Sequence, residues 1–234
     1  MDTKENKFGT FIKALLKQFL VIVLYVFLII TLQSFLIDYV LSSNGFIQGL
    51  SSLFIEMIVL LVFIIMNIKL LSKDLLDFKD NGKKYIKDNF KYYIIGLIIM
   101  MVSNIIISSF IGIATNEAGN RDNILGSPIT SIINVILVAP IIEELMVRVP
   151  LKDKIKPNFI YYLLSGLIFG GLHLIVATNI YELFYIIPYG TLGFVFAYIY
   201  QKTDNVCSCI FFHMLHNTLA IILIFLLGVL VWKK

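Results

Sequence analysis

The run Pro140-Ile141-Ile142-Glu143-Glu144-Leu145-Met146-Val147-Arg148 buries three ionisable side chains in an otherwise apolar stretch. At membrane depth each such charge costs roughly 3 kcal/mol on the insertion scale, so their presence needs a reason other than packing. On a helix, Glu144 and Arg148 are i,i+4 and share one face, with the acid N-terminal to the base, the favourable order. Paired, they cost far less than two separately buried charges. Glu143 projects about 100° round the helix from Glu144, where Arg148 is a poor partner, which leaves it free as a general base. Pro140 removes a backbone N–H one turn earlier and predicts a kink that opens room and water access beside the carboxylates. The bland alternative for all three charges is a polar clamp between helices.

The surrounding composition explains why these charges lie in a membrane. The chain has 234 residues, of which 59% are hydrophobic and only 15% charged, against about 25% charged in an average soluble domain. Its mean hydropathy is +0.91. We therefore expect an all-α, polytopic transmembrane bundle whose partner is the lipid bilayer, long enough for several spans of about 20 residues. A net charge of +4, with lysines clustered in loops, points to membrane orientation rather than nucleic-acid binding. Cys207 and Cys209 are too close together to specify a disulfide framework and read as small packing residues, with metal binding or acylation as alternatives. The N-terminal apolar run, Phe19 to Ile37, is span-length and lacks a small-x-small cleavage site, so it reads as a retained first helix.

Hydropathy gives seven candidate spans, at 17–37, 47–70, 92–113, 129–149, 159–178, 183–200 and 206–232. The Lys- and Asp-rich segment 71–91 reads as a connection that forms a short amphipathic helix on the cytoplasmic surface. Segment 114–128 has turn chemistry throughout. It divides an N-terminal three-helix region, 1–128, from a C-terminal four-helix core, 129–234. Fourteen Lys fall on the side of the N-terminus, whereas the opposite side has Arg121, Lys233 and Lys234. The positive-inside rule therefore predicts a multi-pass cell-membrane protein with a cytoplasmic N-terminus, and the Lys-, Ile- and Asn-rich composition gives a bacterial impression.

Further polar groups lie downstream. In the fifth span Phe169 and His173 are i,i+4, and Gly166 and Gly170 form a small-xxx-small face for close helix approach. In the seventh, His213 and Asn217 are i,i+4 and can project into one cavity, while His216 lies to the other side and reads as structural or supporting. Glu143 and His213 lie at similar depths, about 10 Å from one end of their spans, and His173 is deeper by roughly 5–12 Å. Tyr161 and Tyr162 as interface anchors favour the smaller offset. Glu56, alone in the second span, belongs to no motif and reads as facing the bundle interior or pairing with a backbone donor.

Together these residues resemble the CPBP family of intramembrane proteases, also called the CAAX protease and bacteriocin-processing (Abi) family. That family shows Glu-Glu-x-x-x-Arg, Phe-x-x-x-His and His-x-x-x-Asn in order on separate helices. Here they are Glu143-Glu144-x-x-x-Arg148, Phe169-x-x-x-His173 and His213-x-x-x-Asn217. Gly190-x-x-Gly193 and Tyr200-x-x-Thr203-x-Asn205 also look familial, and the resemblance spans about 129–220. It implies hydrolysis of a peptide or membrane-protein substrate at the membrane. By that resemblance Glu143, helped by His173, activates water; His213 and Asn217 stabilise the oxyanion; Glu144, Arg148 and Phe169 support them. Members are usually labelled metalloproteases, although His-Glu-x-x-His is lacking here. A zinc site would draw on Glu143 or Glu144 with His173 and His213, and a metal-free glutamate mechanism uses the same residues. The competing readings are a non-catalytic bacteriocin-immunity or scaffold protein and a proton-relaying transporter.

Overall fold

The computed structural model describes residues 2–41, 44–152 and 154–231, so Trp232, Lys233 and Lys234 lie outside it. The architecture is all-helical: α1 (Asp2–Leu41), α2 (Gly45–Met66), α3 (Ile68–Ile111), α4 (Thr115–Gly126), α5 (Pro128–Ile133), α6 (Ala139–Val147), α7 (Asn158–His173), α8 (Ile186–Thr203) and α9 (Val206–Val231). A π-helical segment, Asn134–Val138, joins α5 to α6, and a 3₁₀ turn, Ile180–Tyr185, precedes α8. Among the described residues six helical stretches are long and apolar enough to cross a membrane. The seventh apolar helix, α7, has 16 residues and packs along α8. It ends at His173 instead of running to 178, because two turns and the 3₁₀ segment intervene.

Of two segments read from sequence as connections, 71–91 is helical as expected but unbroken from the span that follows, and 115–126 is a helix where turns were expected. Residues 71–91 continue α3, which has 44 residues and so extends about 66 Å, twice the ~30 Å of a bilayer core. The segment contains no proline to stop the helix, and its polar half is tied down. Asn205 Nδ2 donates to Asp74 O and Asp77 Oδ2, both at 2.7 Å, and Val206 N donates to Asp74 Oδ2 at 2.7 Å. Asp74 thus caps the start of α9 from another helix, doing for its first N–H groups what a local cap does elsewhere. Residues 115–126 form α4 despite their Asn- and Gly-rich composition. Glu182 Oε2 accepts from Thr115 N at 2.8 Å, and Ser131 Oγ donates to Asn123 O at 2.8 Å, so both ends of α4 are held by tertiary contacts.

The principal apolar cluster takes Val59, Phe63 and Tyr93 from α2 and α3 together with Ile142, Met146, Phe169, Phe196 and Phe212. Closest approach occurs between α7 and α8, as the small-residue face predicts. A Cβ added at Gly166 would lie 2.6 Å from Gly190 O, and one at Gly193 would lie 3.0 Å from Gly166 Cα. These helices touch backbone to backbone, which brings the C-terminal half of α7 against the middle of α8 and holds Phe169 beside Phe196, at a ring separation of 6.5 Å.

Candidate active site

The two glutamates of α6 occupy different surroundings. Glu144 and Arg148 have side chains with 0% exposure, whereas that of Glu143 is 26% exposed. Arg148 Nε lies 3.2 Å from Glu144 Oε2, close enough for an ion pair but without hydrogen-bond alignment. The guanidinium carbon sits 4.4 Å from the Phe169 ring centroid and 5.8 Å from that of Phe196. Two aromatic faces therefore help accommodate a cation removed from water. Gln18 Nε2 donates to Met146 O at 3.0 Å and fixes α1 against this helix.

Glu144 does more than neutralise Arg148. Its Oε1 is 2.8 Å from His213 Nδ1, so one carboxylate holds both the arginine and the imidazole. His213 Nε2 then faces Glu143 Oε2 at 3.7 Å. With Nδ1–H donating to Glu144, a neutral His213 presents its Nε2 lone pair toward Glu143, and a protonated one presents an N–H. The ring is stacked on Phe196 at 5.0 Å and meets the Phe169 ring at 5.5 Å. Its orientation is thus fixed on three sides.

His173 joins the same aromatic cluster. Its ring packs against Phe169 at 4.5 Å and stacks on Tyr189 at 4.9 Å, and Nδ1 lies 2.9 Å from Phe169 O. That leaves Nε2 as the nitrogen available for chemistry. His216, one turn along α9 from His213, has Nδ1 buried without a hydrogen-bond partner among the described residues. Asn217 takes a more structural position than the i,i+4 spacing implies: its Nδ2 donates to Val135 O in the π segment at 2.7 Å. One of its two N–H groups is thereby committed.

The zinc alternative finds only part of a ligand set. Glu143 and His213 face each other, yet among the described residues no three His, Cys, Asp or Glu side chains converge to hold a metal ion. A catalytic zinc takes three protein ligands, and only Glu143 and His213 Nε2 are paired here. The residues as arranged do not fit zinc, and no step is derived through it. Sequence spacing missed Phe196, Tyr189 and Gln18, which orient the motif residues from other helices. Gly193, three residues before Phe196 on α8, was the nearest local signal.

Residues 125–219 match the family model for type II CAAX prenyl endopeptidase Rce1-like proteins. The chain is also 29% identical over 186 residues to the Bacillus subtilis (strain 168) protein named "Putative membrane peptidase YdiL", covering 75% of this chain and 72% of that one. No solved structure gives a significant match.

Proposed function

We propose that this chain is an intramembrane endopeptidase of the CPBP family, a reading supported by the match of residues 125–219 to the type II CAAX prenyl endopeptidase Rce1-like model, and that Glu143 activates the attacking water. The observation that carries the reading is the chain of contacts Arg148–Glu144–His213–Glu143, with only Glu143 reachable from outside. A water seated between Glu143 and His213 Nε2 gives up a proton to the carboxylate as its oxygen attacks the scissile carbonyl carbon. The resulting oxyanion is met by a protonated His213 and by the remaining Asn217 N–H, while His173, whose Nδ1–H is given to Phe169 O, helps Glu143 by offering its Nε2 lone pair to the attacking water. The proton held by Glu143 then passes to the amide nitrogen as the C–N bond breaks, which regenerates the base. Glu144 fixes the His213 tautomer and stabilises its cation, and Arg148 keeps Glu144 ionised in an apolar setting.

The substrate class consistent with this site is a peptide or membrane-protein segment presented at the bilayer, with the N-terminus of the enzyme on the cytoplasmic side. Glu143→Gln tests the reading against a structural role for the cluster. The variant retains the shape of the site and loses the base, so it should insert and fold normally yet cleave no membrane peptide. Cleavage that persists in both Glu143→Gln and His213→Ala would exclude these residues as the catalytic groups, and a biological activity that survives both would exclude the protease reading.

A further inference from the structure

A polar cleft of about 320 Å³ opens at the end of the bundle covered by α4. It is bounded by α2 from Gly45 to Leu53, by α4 from Asn120 to Gly126, and by residues 127–135. A water needs about 10–15 Å³ of such volume, so several fit. The lining is hydrogen-bonding and almost uncharged: Gln48, Ser52, Asn120, Asn123, Thr130 and Asn134 contribute amides and hydroxyls, and Asp122 alone carries charge. A helix seam facing only lipid or core would be apolar. The mouth lies against α4, whose Glu117, Arg121 and Asp122 mark it as the aqueous edge of the molecule.

Two walls continue inward from the cleft. On α2, Gln48, Ser52 and Glu56 recur every four residues and so share one face. Glu56, one turn inward from the cleft, has Oε2 buried without a hydrogen-bond partner among the described residues, and its helix packs against α6, which carries Glu143. On the opposite wall, Asn134 Oδ1 is likewise buried and unpartnered, and the Val135 carbonyl beside it holds Asn217. Asn217 is one turn from His213. Buried acceptors of this kind are ordinarily satisfied by ordered water.

We propose that this cleft is the path by which water reaches Glu143, with Glu56 at its neck as a positioning residue that orders the last water. The proposal rests on the hydrolytic reading for its purpose, since each bond cleaved consumes one water inside an apolar bundle. Its geometry can be tested without any cleavage assay.

Single cysteines at Ser52→Cys and Asn134→Cys, in the full chain in permeabilised membranes, are exposed to a charged, lipid-insoluble methanethiosulfonate. Phe54→Cys and Met57→Cys on the outward side of α2, at positions 61% and 48% exposed, serve as lipid-facing controls. The unmutated chain gives the background from Cys207 and Cys209. The cleft positions should label several-fold faster than the controls, and equal or slower labelling would overturn the path. For Glu56, the leucine variant should lower kcat with KM unchanged, and Glu56→Gln, which still binds water, should recover most of that loss. Equal loss in both variants, or loss in neither, would remove Glu56 from the proposal. A chain that labels as expected but cleaves nothing would keep the water path and count against the protease reading alone.

Discussion

Replacing Gly166 with alanine tests the helix contact on which the geometry of the site depends. The added methyl would lie 2.6 Å from Gly190 O, 3.3 Å from Phe194 N and 3.4 Å from Phe194 Cβ. The nearest atom is backbone and has no rotamer to escape into. Restoring an ordinary separation near 3.5 Å moves α7 and α8 apart by roughly 0.9 Å, a gap that forfeits a quarter to a half of the dispersion well for the surrounding contacts. Overpacking of this kind costs about 1–3 kcal/mol. Against it stands the better helix propensity of alanine, at most about 1 kcal/mol. Gly171 supplies the control on the same helix, because nothing lies within 4 Å of a Cβ there. Gly171→Ala collects the propensity gain without the clash. Reversible unfolding of both variants in mixed detergent micelles should therefore separate them by about 1–3 kcal/mol, with Gly166→Ala the weaker. The same displacement moves Phe169 and His173 away from Phe196, so cleavage should fall more steeply than stability. Equal unfolding free energies for the two variants would refute the backbone contact between α7 and α8.

Two other substitutions probe the charged scaffold. Arg148→Met leaves the Glu144 carboxylate sealed without its counter-charge and should cost about 3–5 kcal/mol, much of which is recovered when Glu144→Gln is added; unfolding of the single and double variants measures this. Asp74→Ala removes the acceptor for Val206 N–H at the start of α9. It should cost roughly 1 kcal/mol and raise amide hydrogen exchange in the first turn of that helix without altering exchange in α7.

The site was legible in sequence where its logic is local. Glu144 with Arg148, Phe169 with His173, and Gly166 with Gly170 are pairs fixed by helical periodicity, and each occupies the surroundings that periodicity implies. Contacts between helices were not legible, because no spacing rule links Glu144 to His213, sixty-nine positions apart. That is why helical spacing shows Glu144 as a partner for Arg148, whereas it also holds the imidazole directly. Asn217 departs from its expected place for the same reason: a carbonyl on another helix claims its amide. In the fold, the hydrophobic spans were plain and the polar segments were not. The charge of residues 71–91 and the turn-forming residues of 115–126 suggest breaks in the chain, but Asp74, Asp77 and Glu182 supply tertiary hydrogen bonds that keep both segments helical.

The π-helical segment Asn134–Val138 has a consequence for how the glutamates are aimed. An α-helix advances about 100° per residue, and a π turn accommodates one residue more than an α turn. The wide turn absorbs that residue, so the helix on either side of it keeps its face and Glu143 and Glu144 stay aimed at His213. Ala139 N–H reaches back five residues to Asn134 O, which leaves the Val135 carbonyl opposite Pro140, a residue with no N–H to give it, and Asn217 takes the carbonyl instead. Deleting one residue of the splice would close the turn as α, hand Val135 O to a backbone N–H and release Asn217 while sparing the aim of the glutamates. The extra residue in this helix therefore serves the grip between α9 and the start of α6.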